Sequence, residues 1–374
     1  MAHFHAVMAV TLYCFAANGQ ENPERILQQA IASHQAGQTE RAISQYRAYL
    51  KLRPDSVDAR SNLGVVLAST GRYREAIAEY REALKGRPQD PHIRLNLSLA
   101  LYKLGEISDA AASLSALHSA QPADRQVMLL LADCWLRQGE DRKVIDLLTP
   151  VEKQDQSDPA IAYLLGTALL RNKQIDRGQL LIDRILSKGD SAEAHLLLGT
   201  AKLNAREYEA AIADFEKAAQ LNPQLPDVYS YLGRTHLQTG DTAAARLAFQ
   251  KELEQNPNDF ESNLNLAVLL KQDQDYPGAI KLLDRALRVR PGEMRVRFQL
   301  AAVNLAAGRL EQALAGLEAI VKQAPQFVEA HISLAAVYYR LQRKADGDRE
   351  KALAQKLTLQ QQAQRAGQSQ EKIP

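Results

Sequence analysis

Prolines at 54, 88 and 122 stand 34 residues apart, and prolines at 223, 257, 291 and 325 keep the same interval. A ring that fixes φ and removes an N–H breaks a helix interior, so each proline marks a recurring stop. The gap from 122 to 223 is three intervals less one residue, and the helical pattern stays in register on both sides of "SKGDS" (187–191), which places the missing residue there. A chain with one period through most of its length folds as an array. A unit this small cannot bury its apolar face alone and must lean on its neighbours.

Numbering each unit from 1, with the proline at 32, puts unit starts at 23, 57, 91, 125, 159, 192, 226, 260, 294 and 328. Position 8 then holds Ala30, Gly64, Ser98, Ala132, Gly166, Gly199, Gly233, Ala267, Ala301 and Ala335, all small. Position 7 is leucine in every unit but the first, which has Gln29, and position 20 is small in nearly all. Position 24 carries large groups such as Tyr46, Tyr80, Phe215 and Phe249. Small residues at 8 and 20 let two antiparallel helices approach closely, while position 24 fills the space around the contact. Gly37, Gly71, Gly105, Gly139, Gly240 and Gly308 fall between the two helices, where a left-handed C-cap is needed.

The run of Leu63-Gly64, Leu67, Gly71, Tyr73, Ala76, Tyr80, Ala83 and Pro88 resembles the tetratricopeptide repeat, and the likeness covers residues 23–357. The resemblance implies an all-α fold, a right-handed α-solenoid or superhelix of stacked helix-turn-helix units. Units four and five carry Gln156 and Asp190 in place of the proline, so looser junctions are expected there. "RKADGDREKALAQKL" reads as a closing amphipathic helix, and residues 358–374 as a polar tail without order.

Charge points to no class of partner. With 46 basic and 44 acidic residues the net charge is +2, and no clustered basic excess suggests nucleic acid. Ala6 to Ala17 is an uncharged apolar run followed by "ANG" and polar residues, which reads as a secretory signal over residues 1–19. The expected location is therefore periplasmic or secreted, the alternative being a frayed amino terminus in the cytoplasm. No other segment is long and apolar enough to span a membrane. Cys14 lies in this leader, leaving Cys134 as a packed thiol beside Trp135.

Chemistry is not written into the chain. The histidines at 34, 92, 118, 195, 236 and 331 fall in different units, so no metal site is expected. There is no GxxxxGK[ST], GxGxxG or GxSxG run, which leaves no cofactor or nucleophile to name, and a non-enzymatic role is expected.

Binding is the remaining task. If positions 7, 8 and 11 face the second helix, positions 2, 5, 6, 9, 12 and 13 form a stripe elsewhere, and stacked stripes make a groove. The resemblance implies that this concave wall holds an extended peptide or a partner helix. Position 6 carries Asn62, Asn96 and Asn265, with Gln28, Tyr231 and Gln299 in other units. Side-chain amides there can donate to and accept from a peptide backbone. The ladder is broken by Leu130, Leu164 and Leu197. Tyr163 and Phe298 at position 5 and Tyr339 at position 12 add apolar anchors to the same wall. Basic residues at position 13, among them Arg137, Arg171 and Arg340, suit a helix C-terminus and need no ligand. Two functions follow: a scaffold that binds a protein or peptide, or a docking subunit of an assembly whose catalytic chain is separate.

Overall fold

The computed structural model describes residues 22–187 and 189–370, with side chains to residue 363. The leader expected at residues 1–19 lies outside the described residues. All the described elements are α-helices. The chain divides into two compact units between Ala100 and Leu101. Within each of the two, consecutive helices pack as antiparallel pairs.

The first unit contains α1 (Pro23–Gln35) with α2 (Thr39–Leu52), α3 (Val57–Ser69) with α4 (Tyr73–Gly86), and most of α5 (Pro91–Leu104). The second begins at the end of α5. It continues with α6 (Ile107–Ala120), α7 (Arg125–Gln138), α8 (Asp141–Gln154), α9 (Pro159–Arg171), α10 (Ile175–Leu186), α11 (Ala192–Asn204) and α12 (Tyr208–Leu221). After these come α13 (Val228–Thr239), α14 (Thr242–Gln255), α15 (Phe260–Gln272), α16 (Tyr276–Val289), α17 (Met294–Ala306), α18 (Leu310–Gln323), α19 (Val328–Arg340) and α20 (Lys344–Gln370).

Three local rules recur along the stack. In seven repeats the residue before the first helix caps it: side chains of Asn22, Ser56, Asp90, Asp124, Asp158, Ser191 and Asp259 accept from the first free amides, while α13, α17 and α19 have no side-chain cap. The turn between the helices is left-handed in every pair. Six turns use glycine, and Lys173, Arg206, Gln274 and Gln342 occupy the same place with φ of 60°, 64°, 66° and 60°. Where position 8 is glycine and position 24 aromatic, the slot at position 8 receives the ring. A Cβ on Gly64, Gly199 or Gly233 would stand 2.5 Å from the ring of Tyr80, Phe215 or Phe249 respectively. The close approach expected of the small residues is thus an approach of helix backbone to a buried ring.

Neighbouring pairs are stitched by position 13. Arg171 Nη1 donates to the Leu136 carbonyl (3.1 Å), Asn204 Nδ2 to Leu170 (3.1 Å) and Arg340 Nη1 to Leu305 (2.6 Å). Each reaches one repeat back to a carbonyl in the last turn of a first helix, adding a second donor to the turn amide of Gly139, Lys173 or Gly308 that it already accepts.

Three departures from regularity stand out. The deleted residue near 187–191 leaves α10 short, with Gly189 at φ 126° in the link to α11. Residues 358–370, expected to lack order, continue α20. Their Gln- and Ala-rich sequence has no proline and meets no glycine until Gly367, so nothing local ends the helix. Finally, α13 begins at Val228 rather than at Pro226. The place equivalent to the other caps holds Leu225, which has no side-chain acceptor, and the N-cap is Asp227, left-handed with φ 69° and making no side-chain cap bond.

Candidate functional site

The late start of α13 shapes the most polar interior of the second unit. Because Asp227 is not yet helical, its amide points inward, where Glu252 of α14 takes it at 3.1 Å through Oε1. Glu252 is 1% exposed, and Oε2 has no hydrogen-bond partner among the described residues. Burial, with Asp259 and Asp227 close by, pushes its carboxyl up to about 8. Asp259, the cap of α15, accepts from the Ser230 hydroxyl (2.9 Å) and the Ser262 amide (2.6 Å). Burial also raises Asp227, against the pull of Arg171.

Asp227 and Asp259 face a cavity of about 330 Å³ whose walls come from α7, α9, α11, α13, α15 and their links. Arg171 spans it with every nitrogen used: Nε donates to Tyr231 Oη (3.0 Å), Nη2 to Asp227 Oδ2 (3.1 Å), and Nη1 to Leu136 as above. The Tyr231 ring lies against Phe215 with centroids 5.3 Å apart, and the Arg234 guanidinium sits 5.3 Å from its centroid. Such cation–aromatic contacts contribute more when water is excluded.

The far wall closes this cavity by a contact across many repeats. Arg290 Nε donates to the Arg137 carbonyl at 2.7 Å, 153 residues away, while its guanidinium lies 3.9 Å from the Phe260 ring centroid. At the same separation (258 − 105 = 153), Asn258 fills the space beside Gly105, where a Cβ would come within 2.5 Å. Helices α6 and α16 approach each other in the same region. Burial and the nearby Arg171 lower the Arg290 pKa. Arg137 is held by Asp133 (Nε to Oδ2, 2.9 Å), and that carboxylate also accepts from Tyr102 at 2.5 Å.

The structure scatters the residues proposed from sequence. Tyr231 lines the cavity, but at 4% exposure it offers no open face to a partner, because Phe215 and the two arginines cover it. Tyr163 is largely buried between the cores of adjacent pairs and reaches a separate cleft beside Asp158 and Glu193. Asn265 donates to the Glu261 carbonyl of its own helix (2.8 Å), and Gln299 accepts from Lys271 (3.0 Å). Phe298 packs on Phe327, centroids 5.0 Å apart. In the first unit Asn62 and Asn96 are half-buried and Gln28 is exposed. A continuous amide ladder is absent in the second unit among the described residues. Position 6 there includes Leu164 and Leu197, both buried, and the amides of Asn265 and Gln299 are engaged internally.

Tyr339 is different. It lies with Ile332, Ala335 and Ala336 of α19 against Ala354, Thr358 and Leu359 of α20, in an open groove of about 670 Å³. Ile332 is 55% exposed and Leu359 65%. The Tyr339 hydroxyl donates to Asp348 at 2.8 Å, which fixes the ring at the groove edge.

Family profiles agree with the fold. One tetratricopeptide repeat profile matches residues 27–91 and 230–293, a second matches 67–134, 101–165 and 270–338, and a TPR repeat profile matches 207–240. The chain belongs to the tetratricopeptide repeat family. Among curated relatives, anaphase-promoting complex subunit 3 of Schizosaccharomyces pombe is 27% identical over 40% of this chain and 23% of its own length. DnaJ homolog subfamily C member 3 of Homo sapiens is 26% identical over 44% of this chain and 35% of its own length. The chain therefore spans about a third or less of these relatives. Among solved structures, the APC/C hetero-tetramer Cut9-Hcn1 superposes over 90% of this chain and 88% of its own, with a TM-score of 0.53 at 13% identity. Tetratricopeptide repeat arrays serve as protein-interaction scaffolds and are generally not catalytic. No helix among the described residues is long and apolar enough to cross a membrane.

The sequence reading missed Glu252, Asp227, Asp259 and Arg290. The signal for the first was present. Position 27 holds Tyr49, Ala83, Leu117, Val151, Ile185, Ala218, Ala286, Ile320 and Ala354 in the other repeats, and a charge only at Glu252.

Proposed function

We propose that the protein is a non-enzymatic scaffold that holds a segment of a protein partner, and that the segment docks between α19 and α20. The supporting observation is the groove itself. Its walls are apolar, Ile332 and Leu359 are mostly exposed, and one side is the helix α20, which at 27 residues outruns α19. Ile332 and Tyr339 of α19 and Leu359 of α20 leave an uncovered apolar strip between the two helices, a shape that accepts the apolar face of a helix or an extended chain. Tyr339 supplies a rigid aromatic edge, the kind of group that dominates binding energy when a partner covers it.

A second reading, a docking subunit of a larger assembly, is favoured by the relative named as an anaphase-promoting complex subunit. Both readings need the same groove. Ile332→Asp and Leu359→Asp place a charge on its wall without disturbing buried packing, so each variant should keep its melting temperature. Affinity capture with the wild type and the two variants should show a partner retained by the first and lost by the others. Identical capture by all three would overturn the placement. Export through a leader at residues 1–19 belongs to the same proposal, and amino-terminal sequencing of the purified protein tests it.

A further inference from the structure

We infer that Asp227, Glu252 and Asp259 form a binding site for a divalent cation of the Ca²⁺ type, reached from the cavity that Asp227 and Asp259 line. One carboxylate oxygen of each lies within 4.8 Å of the others, close enough to share one ion. Three observations beyond the clustering point to a ligand. Glu252 is 1% exposed, and its Oε2 has no hydrogen-bond partner among the described residues. A buried carboxylate oxygen without a donor is costly, so a positive species is the natural complement. The same position is apolar in the nine other repeats, so the stack itself does not call for a charge there. The missing first turn of α13 is what brings Asp227 into range: with φ 69° it turns its amide to Glu252 Oε1 and its carboxylate to the cavity.

Charge and donor type select the ion. The three carboxylates carry three negative charges when ionised, and Arg171, at 3.1 Å from Asp227, offsets one. Arg137 is committed to Asp133. Glu252 and Asp259 form no salt bridge among the described residues, and two carboxylates without an ion-pair partner match a divalent cation. All three donors are oxygens and neither His nor Cys belongs to the group, which suits Ca²⁺ over Zn²⁺. Three protein ligands leave room for water, so an affinity in the weak range of about 10⁻⁴–10⁻³ M is expected. The ion would tie α14 to both neighbouring first helices, α13 and α15, at the place where the cap of α13 is missing. The inference is independent of the α19–α20 groove, which shares no residue with the cluster.

The test uses the full chain stripped with a chelator. Wild type should take up about one equivalent of Ca²⁺ in equilibrium dialysis, and its melting temperature should climb with Ca²⁺ concentration. Glu252→Ala places in the slot the residue found there at Ala83, Ala218, Ala286 and Ala354, so it should fold. It should lose the uptake and the Ca²⁺-dependent rise. Glu252→Gln keeps the acceptor for the Asp227 amide and should weaken binding by about tenfold or more. A wild type that retains no Ca²⁺ and melts at one temperature up to about 10 mM, well above the expected range, would overturn the inference. So would equal uptake by Glu252→Ala, or an equal rise with Na⁺ at matched ionic strength.

Discussion

Replacing Gly199 by alanine tests the nesting of ring into helix seen at Gly64, Gly199 and Gly233. A Cβ there would lie 2.5 Å from Phe215 Cε1 and 2.6 Å from Cδ1, against an ordinary carbon–carbon contact of about 3.5–4.0 Å. The ring would have to retreat by about 1 Å. It cannot do so cheaply. Phe215 is fully buried, its other face rests on Tyr231, and Tyr231 is held by Arg171. Overpacking of this kind costs about 1–3 kcal/mol, and the better helix propensity of alanine returns about 1 kcal/mol. The net is a loss of up to about 2 kcal/mol, or several degrees of melting temperature. Gly316 in α18 supplies the internal control. A Cβ there meets only the Ala301 methyl at 3.4 Å, so Gly316→Ala should gain the propensity term with little steric cost. The difference between the two variants removes the propensity contribution and should be about 1–3 kcal/mol in urea unfolding. Shifts of equal size and sign would refute the packing account.

Three further outcomes are expected. Arg206→Gly and Gln274→Gly relieve left-handed strain at exposed turns and should each raise stability by about 0.5–1 kcal/mol in urea unfolding. Arg290→Met removes the charged donor to the Arg137 carbonyl and should cost about 1.5–3 kcal/mol by the same assay. Burial pushes the Cys134 thiol up to about 12, so near neutral pH it should resist a disulfide reagent until denaturant exposes it. Prompt labelling of the native protein would contradict the packing of α7.

Periodicity was legible because it reports local rules. Pro88, Gly71 and the Gly64–Tyr80 pair each answer to contacts within a repeat or at its border, and those contacts recur wherever the residues recur. The groove was harder to read. Position 6 marks one stripe of the helix, yet Tyr231 sinks under Arg171 and Arg234, while Ile332 on the neighbouring row is 55% exposed beside α20. A helical pattern alone does not say which of these two rows is covered. The carboxylate cluster failed to show for another reason. Asp227 and Asp259 look like ordinary first-turn acids, and it takes Leu225 at a capping place together with Glu252 in an apolar slot to set them apart. The pairing of Arg290 with Arg137 joins residues 153 apart, a distance at which no local rule speaks.

That last contact limits how the gene can evolve. Arrays of identical modules ordinarily grow or shrink by whole modules, since each touches only its neighbours. Between Arg137 and Asn258, however, the chain lies inside both meeting points, Gly105 with Asn258 and Arg137 with Arg290, so a 34-residue module duplicated or lost there would leave both without their counterparts. Copy number in that stretch is locked, and changes of length are tolerated only outside it.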